Sequence, residues 1–195
     1  FTFASFVTIL IGMAGIGWNV RLLSLRVFSV QGCSPDCPTA TCGTDSVSMK
    51  NAVDYVRTLN NSQATGRIIL NMSLGNSGVC DGVVGPALTS AFNEGILVVI
   101  SAGNDGGAVN SPANCANVMP VGAVDPSDAL ASFSSRGVEM TLRGVAAPGV
   151  GVFSARPGAG FGYGSGTSFS APLVSGLAAL MWAAKPTYTA AQLAT

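Results

Sequence analysis

The segment Gly164-Ser-Gly-Thr-Ser-Phe-Ser-Ala-Pro172 sets a serine, Ser168, behind Gly164 and Gly166 and at the head of a long apolar stretch. Glycines permit a tight loop. A helix that begins at the serine turns its unpaired N–H groups, and the positive end of its dipole, toward whatever the hydroxyl attacks. That combination suits an acyl-transfer nucleophile. The same pattern also describes an ordinary helix N-cap, in which a Thr or Ser oxygen satisfies the first free backbone donors. Asn104, just before Asp105-Gly-Gly107, reads on its own as a turn residue.

A serine hydroxyl is a weak nucleophile unless a neighbouring base takes its proton. The chain contains no histidine, and Lys50 and Lys185 are its only lysines. Lys185 follows the far end of the serine's helix and nothing places Lys50 near the site, so neither is expected to act as base. Five cysteines offer a different chemistry: Cys33, Cys37 and Cys42 share one short loop, while Cys80 and Cys115 lie further on. A disulfide-stapled loop in an exported protein is the preferred reading. A structural zinc site is the alternative, and no histidine is present to supply its fourth ligand. With an odd number, one cysteine stays unpaired within the chain or pairs with something outside it.

The elements that must hold these residues follow from the hydrophobic period and its breakers. Val20 to Phe28 is a short apolar run between Asn19 and Gly32 and predicts a strand. Asp45 or Ser46 can cap a helix over Val47 to Leu59, where Val47, Ala52, Val53, Val56 and Leu59 fall at roughly helical spacing. Arg67 to Leu74 predicts a second strand, Val84 to Asn93 a helix, and Gly95 to Ser101 a third, wholly apolar strand. Val118 to Val124 and Val150 to Ala155 are further strand candidates. Ser168 to Ala184 predicts a helix apolar on all sides, with Pro172 in its first turn, where a missing N–H has no partner to lose. Such a helix belongs at the centre of a domain.

Continuous β-branched runs separated by helices imply a parallel sheet covered on both faces. The fold class is therefore α/β, three-layered, with a mostly parallel sheet flanked by helices. With no internal repeat or linker, residues 1–195 are read as a single domain. Hydrophobic residues at 48% and charged residues at 9% exclude a disordered chain. Nine basic residues, scattered, balance nine acidic ones, so nucleic acid is not expected as a partner. Phe1 to Val20 carries no charge, yet Gly12, Gly15, Gly17 and Asn19 interrupt it and no basic region precedes it. It is read as a buried helix or strand, not a membrane span or signal peptide.

The longer string Gly166-Thr-Ser-Phe-Ser-Ala-Pro-Leu-Val-Ser-Gly176 closely resembles the nucleophile motif of the subtilisin-like serine peptidases, and further landmarks follow that family's order. Gly12 to Asn19 resembles the segment entering a core strand. Asn71-Met-Ser-Leu-Gly75 is similar to the strand lining the primary specificity pocket, and Ser101-Ala-Gly-Asn104 to the segment with the oxyanion asparagine. Ser111-Pro-Ala, Val121-Gly-Ala, Ser132-Phe-Ser and Ala147-Pro-Gly149 match further turns. The resemblance covers about Gly12 to Lys185.

It implies a subtilisin-like fold, a secreted serine endopeptidase and a polypeptide substrate or peptide ligand. Ser168 would attack the scissile carbonyl, and its N–H with the Asn104 amide would hold the oxyanion. Ser73, Leu74 and Gly75 would form one wall of the substrate cleft and Ser101, Ala102 and Gly103 the other. Small residues there leave room for a large apolar side chain.

The family's base is a histidine oriented by an aspartate. Both motifs would lie upstream of Phe1, so the chain is expected to lack the N-terminal part of the domain and to be nearly inactive as a peptidase. A promiscuous esterase and a non-catalytic peptide-binding module are the alternatives. Loss of the N-terminal part would expose apolar surface, so self-association or complementation by that part is expected. No cofactor is required; calcium as a structural ion stays open, although Gly144 stands where many relatives carry an acid and the Asp125/Asp128 pair is a common turn feature. A membrane partner is not expected.

Overall fold

The runs with no polar side become the inner strands of one sheet. In the computed structural model, which describes residues 15–28, 43–62, 66–156 and 160–194, β1 (Ile69–Met72), β2 (Leu97–Ser101), β3 (Met119–Val124) and β4 (Val145–Pro148) pair in that order, all in parallel. Around the sheet stand α1 (Ser46–Asn61), α2 (Val84–Asn93), the short α3 (Val138–Arg143), α4 (Thr167–Ala184) and α5 (Ala190–Leu193). Every residue of β2 is buried. Because side chains alternate across a strand, Val98 and Ile100 join one core with Val53, Val56, Leu88 and Ala91 of α1 and α2. Leu97 and Val99 join the other with Ala171, Val174, Ala178 and Trp182 of α4. Each fully buried aliphatic chain contributes about 1.5 to 3 kcal/mol, so this central strand anchors both layers. The three-layered α/β arrangement with a parallel sheet is as the sequence implies.

Helix starts are set by carboxylates. Asp45 caps α1 by accepting from the Ser48 N–H at 2.7 Å. Asp81 accepts from the N–H groups of Val83 and Val84 ahead of α2, and its other oxygen takes the Ser46 hydroxyl, which ties the first turns of the two helices together. Both carboxyls are held below their usual value near 3.8, Asp45 chiefly by the Ser48 N–H and Asp81 chiefly by the Ser46 hydroxyl.

Four expectations change. Val20 to Phe28 forms no strand, because no strand among the described residues lies beside it; Val20, Leu22 and Leu23 are exposed. Val152 to Arg156 is indeed extended (β5), but it leaves the parallel sheet and pairs antiparallel with β6 (Gly160–Gly164), a strand whose alternating glycines hid it. Helix α4 starts at Thr167, so Pro172 sits in its second turn and its missing N–H would have served the Ser168 carbonyl. Finally, α4 is covered incompletely among the described residues, by the sheet on one side and by Ile16 and Gly17 at Gly176 on another. Leu177, Leu180 and Met181 form a stripe 52%, 46% and 39% exposed, while the sheet covers the opposite side. It is also the one described helix long and apolar enough to cross a membrane by length and composition; its packing on the sheet makes it a core helix. Residues 1–14 and the loop holding Cys33, Cys37 and Cys42 lie outside the described residues, and with them the expectations for Phe1 to Ala14 and for a stapled loop.

Candidate active site

Parallel strands end on the same side of a sheet, so the segments leaving β1 and β2 emerge together, and the head of α4 lies across them. Beyond β2 the chain turns at Gly103, whose φ of +113° suits glycine alone; a Cβ there would stand 2.6 Å from Asn110 Nδ2 and 2.8 Å from Ser135 Oγ. Gly103 is fixed on both sides. Its carbonyl accepts from the Ser135 N–H at 3.0 Å, and its own N–H donates to Thr167 Oγ1 at 3.2 Å.

Thr167, fully buried at the first position of α4, passes that restraint on to Asn104. The Thr167 N–H and hydroxyl both donate to Asn104 Oδ1, at 2.8 and 2.9 Å. With Oδ1 claimed by two donors, the amide can hold only one flip, and Nδ2 is left as a donor with no partner among the described residues. Next in the chain, Ser168 is half-buried. Neither its hydroxyl nor its N–H has a hydrogen-bond partner among the described residues. Two unspent donors, the Ser168 N–H and Asn104 Nδ2, therefore flank an unspent hydroxyl at the head of a helix. Such donors stabilise negative charge most where they are fixed before it develops.

The Ser168 carbonyl has a different fate. Deprived of a helical donor by Pro172, it accepts from Ser73 Oγ at 3.0 Å. Ser73 in turn accepts from Asn71 Nδ2, and Asn71 Oδ1 lies 3.0 Å from Ser175 Oγ. A relay from β1 thus holds the first turns of α4 to the sheet. Leu74 and Gly75, continuing from Ser73, make no backbone hydrogen bond among the described residues, and an extended peptide could pair there. Across from them Ser101 and Ala102 are buried, and Ala102 spends its N–H on Val121 and its carbonyl on Asn110. Ala102 can shape a cleft only sterically.

The nucleophile, oxyanion and cleft residues named from the sequence (Ser168, Asn104, Ser73 to Gly75 and Ser101 to Gly103) thus lie on the three segments that meet here. Thr167, Asn71 and Ser175 were missed as site-builders; Thr167 had a signal only in its place between Asn104's partner loop and Ser168. The lysines are elsewhere. Lys50 Nζ contacts Asp54 Oδ2 at 2.5 Å on α1, across the sheet from α4. Lys185 caps the far end of α4, roughly 25 Å from Ser168 at 1.5 Å per residue. The neighbouring acid, Asp105, accepts from Asn110 Nδ2 at 2.7 Å.

For calcium, Asp125 uses Oδ1 to accept from the Ser127 and Ala129 N–H groups, and Asp128 sits at a φ of +62° in the same tight turn. Among the described residues no group of three Asp, Glu, His or Cys side chains converges. Cys80 and Cys115 form a disulfide.

A family model described as Subtilase family matches residues 7–195. The thermophilic serine proteinase of Bacillus sp. (strain AK1) is 38% identical over 174 residues, spanning 87% of this chain and 38% of that protein. Alkaline elastase YaB of Bacillus sp. (strain YaB) is 35% identical over 184 residues, spanning 94% of this chain and 43% of that one. Among solved structures, a cold adapted subtilisin-like serine proteinase superposes with a TM-score of 0.70 at 29% identity, over 80% of this chain and 55% of that chain. The chain thus spans about half the length, or less, of these relatives.

Proposed function

Because this chain belongs to the subtilase family, we propose that it supplies the nucleophile and oxyanion half of a secreted subtilisin-type serine endopeptidase. The observation that carries the proposal is the Thr167 lock on Asn104, which leaves Nδ2 and the Ser168 N–H as free donors beside a free hydroxyl. Ser168 Oγ bonds to the scissile carbonyl carbon, its proton leaves to a base, and the carbonyl oxygen takes the negative charge between the two donors. Collapse of that adduct breaks the C–N bond as the leaving amine takes a proton, and water later releases the acyl group.

The substrate runs along Ser73, Leu74 and Gly75, whose backbone can take it as an added strand, with Ser101, Ala102 and Gly103 opposite. Export is in keeping with the Cys80–Cys115 disulfide, since such bonds persist in oxidising surroundings.

No histidine occurs in the 195 residues, so the proton acceptor is not a histidine of this sequence. In subtilisin, loss of the histidine alone costs about a millionfold in turnover. These residues by themselves are therefore expected to leave peptide bonds intact, while activated esters, whose leaving groups need less help, react slowly. The same absence favours a second reading, a peptide-binding module that keeps the cleft and does no chemistry. Among the described residues, the exposed stripe of α4 and the outer edge of β1 suit association with a complementing polypeptide or a second copy.

Release of nitrophenol from an activated ester by the wild-type chain and by Ser168→Ala tests the proposal. A slow, Ser168-dependent rate supports it. Equal rates in both proteins favour the binding module, and rapid peptide hydrolysis by the wild type would reveal a base that the sequence does not suggest.

A further inference from the structure

Past the paired ends of β1 and β2, the two chains part and then meet again. The Asn76 N–H donates to the Ser111 carbonyl at 2.9 Å, Asn114 Nδ2 donates to the Gly78 carbonyl at 2.8 Å, and Cys80 is bonded to Cys115. These ties climb both loops in step, from Asn76, Gly78 and Cys80 on one to Ser111, Asn114 and Cys115 on the other. They begin one residue after Gly75, where a Cβ would stand 2.7 Å from the Ser111 carbonyl oxygen. The last is covalent.

One loop is held firmly. Arg143 donates from Nε to the Val118 carbonyl and from Nη2 to the carbonyls of Asn114 and Cys115, at 3.0, 3.3 and 2.7 Å, and Cys115 is only 1% exposed. The other loop is held at its two ends, by the Asn76 and Gly78 ties and by Asp81, but is open to solvent between them: Cys80 is exposed, and the neighbouring Val79 is 87% exposed. Gly85, in the first turn of α2, leaves room for the bridge, since a Cβ there would come 2.7 Å from the Cys80 sulfur. The disulfide therefore fastens the exposed middle of one loop, directly continuous with Leu74 and Gly75, onto a buried and hydrogen-bonded loop that follows the segment Ser101 to Gly103.

We propose that the Cys80–Cys115 disulfide is a specificity-determining tie, which fixes the gap between the two walls of the peptide cleft and so selects peptides bearing a large apolar side chain. It rests on the reading above that these segments are the walls. A pocket of fixed width discriminates by fit, and each methylene is worth about tenfold or more in selection. With the tie cut, the stretch around Val79 and Cys80 is left to the Asn76, Gly78 and Asp81 hydrogen bonds alone, the walls can part, and the pocket accepts small and large side chains alike.

Fluorescein-labelled hexapeptides that differ at one position, Ala, Leu or Phe, are titrated by anisotropy against the oxidised full chain, the Cys80→Ser/Cys115→Ser variant and the wild type reduced with TCEP. Oxidised wild type is expected to prefer Leu or Phe to Ala by about tenfold. In the variant and in reduced wild type that preference falls below about threefold with the circular dichroism unchanged, and reoxidation restores it. A preference that survives in folded, reduced protein overturns the tie alone. Should the double variant fail to fold, reduced wild type decides, and loss of its folded signal also overturns the proposal, because the bond would then hold the fold and not the selection. If oxidised wild type binds none of the peptides, the cleft reading itself falls and the tie with it.

Discussion

Ser73→Ala should destabilise the chain only as long as Pro172 is present. Residue 172 cannot donate to the Ser168 carbonyl, and its ring crowds that oxygen, so the Ser73 hydroxyl at 3.0 Å is the donor that satisfies it. Removing the hydroxyl strands a carbonyl between two half-buried residues. An unsatisfied buried acceptor costs about 1 to 3 kcal/mol; with water able to reach this one in part, about 1 to 2 kcal/mol is expected. In a chain of this length that lowers the melting temperature by about 2 to 8 °C.

Pro172→Ala supplies the missing N–H, so Ser73→Ala made in that background should cost less than about 0.5 kcal/mol, leaving a coupling of about 1 kcal/mol. Pro172 is buried, and the void left by its ring affects both arms of the cycle equally. Urea unfolding of the four proteins, followed by circular dichroism, gives the coupling. Additive effects would refute the reasoning, since the two donors could not then be competing for one oxygen.

Thr167→Val keeps the side-chain volume and the backbone N–H but removes one of the two donors on Asn104 Oδ1 and the acceptor of the Gly103 N–H, so the amide is held less firmly; the Ser168-dependent ester rate should fall by about tenfold, as measured by nitrophenol release. Lys185→Met should leave that rate unchanged, because the amine stands at the opposite end of α4; a large loss would point to a lysine base. The Asp81 carboxyl is held low chiefly by the Ser46 hydroxyl, and then by the Val83 N–H, so its stabilisation is present above the unfolded value near 3.8 and is lost as the pH falls below it. Urea midpoints between pH 6 and pH 3 should therefore drop more steeply for the wild type than for Asp81→Asn. Sedimentation should show the wild-type mass rising with concentration and Leu177→Lys/Leu180→Lys holding constant; a monomeric wild type over the whole range would dismiss the exposed stripe as an association surface.

What the sequence disclosed was whatever burial writes into it. Gly95 to Ser101 has no polar side and became the central strand; the limits of α2 were legible because its apolar run is bounded by turns; Asp45 stood where a cap was needed. Elements held by pairing were harder to see. Strand β6 alternates Gly160, Gly162 and Gly164, which carry no propensity, and it exists because β5 lies beside it. Val20 to Phe28 has a strand's composition and, among the described residues, no strand beside it.

At the site, Ser168 and Asn104 could be found from motif likeness, whereas the hydrogen bonds that orient them could not. Thr167, Asn71 and Ser175 are ordinary polar residues until three distant segments converge. The same holds for the partners of Cys80 and Cys115, since spacing does not specify pairing.

Gly103 is held by Ser135 from one direction and by Thr167 from another, and that double restraint has a consequence for how the chemistry comes and goes. Residues near 103, 135 and 167 are strangers along the chain, so no early, local piece of the folding protein can possess the site. Contacts of such long range form late and cooperatively, and they are lost together. Ester turnover would therefore serve as a sensor of the fully assembled state, lost on warming in the same transition that unwinds the helices.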